Sequence, residues 1–382
     1  MNRLAIATIG ILLFAVAAPA QYYEIRDLGT LPNQISSAPS DINNAGTITG
    51  NSGNRAFMYK NCTMMDIGTL AGTQFSAEKI SEEGQIVGFY RRMDGVKRAF
   101  SRTSSGIMVD AGGAANLEET ATAIGGWGIP VGVESLAAGL NGNGVYYFGG
   151  TTYPLQKFYL DPTNPYSYGF VTSVADASEN WRILGHLKAF GTDIGLISAP
   201  AFGAWTRIQG FYIPSNAPII AARIQVFTTP KITASIRPKA MNRKGQIVGE
   251  AGDGLIRAFL SNDPTQPAID LGSLGDDTQP TIANDINYNG WVVGLSFRSI
   301  ASGPLAFLHD GVTMIDLNTR LLNGAGWQLT EATAINDTGQ IVGIGIHNDQ
   351  VHGFLLIPRT SGVLTYLPAC SVVGNLPVLT RQ

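Results

Sequence analysis

The chain has 382 residues, of which 14% are charged and 45% apolar, with 46 glycines and a formal net charge of −3. That charge content, against roughly 25% in ordinary soluble domains, leaves too few Glu, Lys and Arg for the wet faces of a helical bundle. It points instead to short strands and tight turns, and the slightly acidic balance excludes a general attraction to nucleic acid or to an anionic membrane.

The amino terminus opens with Asn2 and Arg3, then an apolar run over residues 4–16 that is too short to span a bilayer, then Ala18-Pro19-Ala20. This order predicts a secretory signal peptide cut after Ala20, and no later apolar run is long enough for a transmembrane segment. The remainder divides into a repeat domain over residues 21–358 and a tail over 359–382.

The mature chain starts with Asp27-Leu28-Gly29-Thr30-Leu31, and a related signature returns at Asp66-Ile67-Gly68-Thr69-Leu70, Asp270-Leu271-Gly272-Ser273-Leu274 and Asp316-Leu317-Asn318-Thr319. A second pattern is clearest at Ile335-Asn336-Asp337-Thr338-Gly339-Gln340-Ile341-Val342-Gly343. It has sister copies beginning at Ile42, Ile80, Met241 and Ile286 and degenerate ones at Ile124 and Ala177. Its final glycines fall at 50, 88, 132, 185, 249, 294 and 343, a period of roughly 45 residues that is stretched in the middle.

Each copy reads as an inner strand of small and apolar residues, a four-residue turn closed by Gly, and a β-branched return strand. A third strand follows at Arg55-Ala56-Phe57, Arg98-Ala99-Phe100, Lys188-Ala189-Phe190, Arg257-Ala258-Phe259, Leu305-Ala306-Phe307 and His352-Gly353-Phe354, and the Asp signature ends a fourth. Four antiparallel strands per copy and seven copies predict an all-β fold, a seven-bladed β-propeller. The first Asp signature has no strands before it, so residues 22–28 are expected to complete the last blade and remove its open edge. Residues 363–367 compete for that place. Residues 196–235, with Trp205 and several prolines, fit no blade and read as an insertion.

The combination of Asp-Leu-Gly-Thr-Leu, the Ile-Asn-x-x-Gly-Gln-Ile-Val-Gly turn and the Arg/His-Ala-Phe-Leu strand resembles the bacterial HAF-repeat proteins, which are predicted to be extracellular. The histidine of that motif survives only as His352; Arg, Lys or Leu replaces it elsewhere. The resemblance implies export and a repeat fold, and it implies no activity.

Motifs that could carry chemistry have structural explanations. Asp285-Ile286-Asn287-Tyr288-Asn289-Gly290 matches the first half of a calcium loop, but Val293 and Ser296 stand where the oxygen shell should close, and sister repeats carry Lys79 or Thr333 in place of Asp285. Ser76-Ala77-Glu78-Lys79 spells a nucleophile motif that works on a helix, whereas this segment is predicted strand. Of the four histidines, only His347 and His352 are close in sequence, and they lack the spacing and acidic partners of a convincing zinc site, so neither a metal nor a cofactor is expected. Cys62 and Cys370 either pair or remain thiols.

Candidate binding residues remain. Arg91, Arg92, Lys97 and Arg98 flank the second-to-third strand loop of blade two and could form a basic rim, or a solvated loop with Glu82 and Asp94. Trp127, Trp181 and Trp291 sit in or beside the inner turns of blades three, four and six, where they could stack on sugar rings or plug the channel. The sequence thus reads as a secreted, non-catalytic propeller that binds a carbohydrate or a cell-surface protein at a channel mouth. Two alternatives stand beside it. One is an exported hydrolase or lyase with its site among Glu118, Glu119, Glu134, Asp161 and Asp193 of the irregular region 110–235, and the other is a structural envelope component.

Overall fold

A computed structural model describes residues 22–359 except 69, 114–116, 137–142, 156–157, 160–167, 170–172, 179–181, 190–191, 199–204, 208–234 and 253. The predicted signal peptide, Asp161, Trp181, most of the predicted insertion, residues 363–367, Cys370 and the tail beyond Arg359 lie outside these residues. Among the described residues there is no α-helix; the sheets are seven four-stranded antiparallel ones and one two-stranded hairpin between blades three and four. The chain is a seven-bladed β-propeller, as the repeat count predicts.

Blade one runs through strands Ala38–Ile42, Ile48–Ser52, Arg55–Lys60 and Thr63–Asp66, and blades two to six repeat that order. Blade seven takes three strands from the carboxy-terminal side, Trp327–Ile335, Ile341–His347 and Gln350–Arg359, and its fourth from the amino terminus, Tyr22–Asp27. The pairing runs in register from Tyr22↔Arg359 to Asp27↔Phe354, so the expected closure by residues 22–28 holds. Asn323 accepts from the amide of Ile25 and donates to its carbonyl, and Tyr23 is fully buried, so the closing strand is covered on its outer side too.

Two middle-region expectations need correction. Lys188 and Ala189 end the second strand of blade four, Ile183–Ala189, and its third strand is Thr192–Ser198. The fourth strand is Trp205–Arg207, so blade four claims both ends of the stretch 196–207 that had read as insertion. The missing Phe and Asp signatures hid these strands.

The repeat motif has one packing explanation. In every blade the register between inner and second strand slips by one residue, skipping Ser40, Glu78, Thr122, Ala175, Lys239, Asn284 and Thr333 in turn. These are β-bulges, which bend the strand and push its backbone toward the neighbour. The second glycine of the motif sits opposite. A Cβ on Gly50, Gly88, Gly132, Gly249, Gly294 or Gly343 would lie 1.8–2.3 Å from an inner-strand carbonyl oxygen. Glycine is required there by close approach and not by its dihedral freedom. Across the next pairing, Gly50, Gly88, Gly249, Gly294 and Gly343 face Phe57, Phe100, Phe259, Phe307 and Phe354, whose rings fill the space. All five rings are fully buried, each contributing about 2–3 kcal/mol of transfer free energy.

The row ends in charge. Each Phe pairs in register with the signature Asp, and the residue two before the Phe reaches that carboxylate. The pairs are Arg55–Asp66, Arg98–Asp110 at 3.4 Å and Arg257–Asp270 at 3.2 Å. Blade six has Leu305 at this position, and Arg298 substitutes from the adjoining loop, 3.1 Å from Asp316. Blade seven uses His352, 2.9 Å from Asp27.

Candidate functional site

The inner strands bound a central channel, and the bulges decide what lines it. A regular strand would alternate its side chains between the two faces; an unpaired extra residue breaks the alternation. All seven skipped residues, each two places before the end of its inner strand, line one cavity of about 500 Å³ that opens away from the inner turns. Lys79, Asn51 and Glu331 join them. Its wall carries a chain of polar contacts across three blades. Lys239 Nζ donates to Asn284 Oδ1 at 3.2 Å, and Asn284 Nδ2 donates to Glu331 Oε1 at 2.8 Å and to the carbonyl of Ala332 at 3.0 Å. Opposite, Ser76 donates to Glu78 at 2.6 Å. Two carboxylates, two ammonium groups, two amides and three hydroxyls therefore face one concavity whose volume falls in the usual range for ligand sites.

Beneath this cavity lies a layer of buried charge. Asp41, Asp176 and Asp285 each follow a bulge residue. Each accepts the backbone N–H of the next blade's inner strand, from Ile80 at 2.9 Å, Met241 at 3.0 Å and Ile335 at 2.8 Å respectively. Asp285 also accepts from Ile286, so it ties blades together and is not half of a calcium shell. Its structural counterpart in blade seven is Ala334, one place beyond the Thr333 that the sequence comparison aligned with it. Lys79 reaches 3.8 Å from both Asp41 and Asp176. Burial pushes the Asp41 carboxyl up to about 7 despite that lysine, and it raises Asp285 as well. Burial alone would lower the Lys79 ammonium, but Asp176, Asp41 and Asp285 together hold it well above the usual lysine range.

At the other end the inner turns form a narrower mouth, with a cavity of about 150 Å³. The motif's asparagines stitch it. Asn242 donates to the carbonyl of Asn287 at 2.9 Å and Asn287 to that of Asn336 at 3.1 Å. Asn336 donates in turn to Asn43 at 3.1 Å and Asn43 to Ser81 at 3.0 Å. Arg243 of blade five meets Glu82 of blade two at 3.3 Å, so a polar bridge crosses the opening.

The sequence-nominated residues distribute unevenly. Trp127 lies at the turn mouth, 92% exposed and in the left-handed region at φ 58°. Trp291 is partly buried and packs on the core shared by blades six and seven. Neither is among the residues that line these two cavities. Arg98 is buried between Asp110 and Glu119, so it is an internal ion-pair residue and not part of a rim. Arg91 lies 3.6 Å from Glu118, Arg92 3.0 Å from Asp94, and the Lys97 ammonium 4.3 Å above the Phe89 ring. Glu118 and Glu119, offered as catalytic acids, are thus engaged by arginines. His347 and His352 converge on Asp27, an acidic partner absent from their sequence neighbourhood. Cys62 is disulfide-bonded.

Sequence reasoning missed the bulge ring. Its signal was present as six polar residues among seven at one position of the inner strands, but an alignment on the glycines did not mark that position as unpaired.

The fold and channel define the class, a seven-bladed propeller with a polar central cavity. No family profile matches the chain, and no curated protein matches it. Solved structures do. The extracellular domain of a one-component system from B. thetaiotaomicron aligns with TM-score 0.47 and 9% identity over 87% of this chain and 40% of that one. Puromycin hydrolase aligns with TM-score 0.48 and 10% identity over 85% and 52%. A puromycin-hydrolyzing peptidase from Mycobacterium tuberculosis gives 0.46 and 11% over 91% and 56%. The chain thus spans roughly half the length of these structures. Among the described residues no helix is long and apolar enough to cross a membrane.

Proposed function

We propose that this protein is an exported, non-catalytic propeller of the HAF-repeat kind that binds a carbohydrate at the wide mouth of its channel. The leader over residues 1–20 and the repeat signatures support export. One observation carries the binding site: seven bulge residues, one per blade, converge on a cavity of about 500 Å³. Six of the seven are polar, and the sequence varies them while keeping the glycines and phenylalanines that build the blade. Paired donors and acceptors without a large aromatic surface suit a ligand dense in hydroxyl groups. The carboxylates in reach are engaged in hydrogen bonds or ion pairs, which favours recognition over acid–base chemistry.

Calorimetric titration of the mature protein with a panel of neutral, acidic and amino-sugar oligosaccharides tests this. Saturable binding of at least one member, lost in Lys239→Ala and Glu331→Ala, is expected. Binding that survives both substitutions, or a panel without a binder, contradicts it.

A further inference from the structure

We propose that Asp27, His347 and His352 form a binding site for a transition-metal ion of the zinc class, set across the seam where the ring closes. The reasoning starts from register. His347 pairs with Trp327, His352 with Gly345, and Asp27 with Phe354, which places all three side chains on one face of blade seven. The Nδ1 atoms of both histidines point at the same carboxylate oxygen of Asp27, at 3.0 and 2.9 Å. The three ligand atoms lie within 4.8 Å of one another.

Two imidazoles and one carboxylate are a donor set that zinc and its neighbours accept, with a fourth position left to water. Zinc bonds of about 2.0–2.1 Å would separate tetrahedral ligands by roughly 3.3 Å, so the present spacing needs only a small opening. The other oxygen of Asp27 accepts from the Gly29 amide at 2.7 Å and lies 3.1 Å from His352 Nδ1, so the oxygen shared by both histidines is the one placed to bind. Trp327 stacks on His347 at 4.4 Å and 7°, fixing the ring plane, and the Asn348 amide sits 3.3 Å from Nε2. An amide there serves either tautomer by turning over, a supporting role usual around metal-bound histidine.

The competing reading is a plain ion pair, because arginine stands at the His352 position in blades one, two and five. That reading accounts for one imidazole. It does not account for His347, which comes from the other arm of the hairpin and aims at the same oxygen.

The sister blades also supply the deciding variant. His352→Arg should restore their Arg–Asp pair while removing a ligand, and His347→Gln removes the other imidazole without touching that pair. The chelator-stripped full chain is titrated with zinc alone, and with cobalt(II) for its visible absorption. Wild type should take up about one equivalent beyond a His347→Gln/His352→Arg double variant, and its melting temperature should rise with zinc. Each single variant should bind at least tenfold more weakly and lose the cobalt band, while metal-free His352→Arg melts close to metal-free wild type. Equal uptake by wild type and double variant overturns the proposal. So does full zinc affinity in His352→Arg, or in His347→Gln if the former does not fold.

Discussion

Replacing Lys79 with methionine removes the single cation described among three buried carboxylates. At 3.8 Å the ammonium interacts with Asp41 and with Asp176. With an effective dielectric constant near 20, each pair is worth about 4 kcal/mol of gross attraction, most of it offset by desolvation. Removing one partner of such a group typically destabilises by about 3–5 kcal/mol, because the other charges stay buried. Lys79→Met is therefore expected to lose that much at pH 7.5, read as a fall in urea midpoint at unchanged slope. The pH dependence carries a definite sign. Asp41 in the folded wild type already titrates at about 7, above its unfolded value, because burial opposes its charge. A raised carboxyl gives stability that is complete below the unfolded pKa and is lost as pH rises through the folded one. Without Lys79 the folded pKa of Asp41 rises further, so the variant recovers stability on acidification more than wild type does. The gap between the two proteins should narrow from pH 7.5 to pH 5. A gap below about 1 kcal/mol at pH 7.5, or one that widens toward pH 5, refutes the reasoning.

Three further outcomes follow from the blades and their closure. In Gly343→Ala the new Cβ would meet the Glu331 carbonyl oxygen at 2.1 Å and the Phe354 ring at 2.5 Å, so chemical denaturation should show a loss of at least about 3 kcal/mol. Removing residues 22–27 takes the fourth strand from blade seven and the buried Tyr23 and Ile25 with it; the truncated chain should lose its cooperative thermal transition and aggregate on size-exclusion chromatography. Because Cys62 is disulfide-bonded, a thiol reagent should find no free thiol in the denatured protein until a reductant is added.

Much of the architecture was legible in the chain. The turn glycines Gly46, Gly84, Gly245, Gly290 and Gly339 adopt positive φ, which few residues other than glycine tolerate, so they stayed in place and allowed the blades to be counted. The unaccompanied Asp27 signature announced the closing strand. Blade four lost its Phe and Asp, and its later strands were misplaced as a result. The channel was harder to read because a bulge has no composition of its own. Ser40, Glu78 and Lys239 each stand six places before the turn glycine of their copy, but that spacing does not show the position to be unpaired, and the sequence comparison set Thr333 beside Asp285 where the spacing gives Ala334. Arg98 looked like a surface cation because nothing near it in sequence marks Glu119 as its partner across two blades. The histidine cluster was hidden for a plainer reason. Its Asp27 lies 320 and 325 residues from the histidines and reaches them only once the ring has closed.

The central claim is that ligand enters at the mouth away from the inner turns and is held by the bulge residues. The most direct measurement compares oligosaccharide affinity in two variants, one altered at each mouth. Lys239→Ala/Glu331→Ala at the wide mouth should lose at least tenfold in affinity, while Trp127→Ala at the turn mouth should bind as wild type does. A loss confined to Trp127→Ala would contradict the account and return the binding site to the turns.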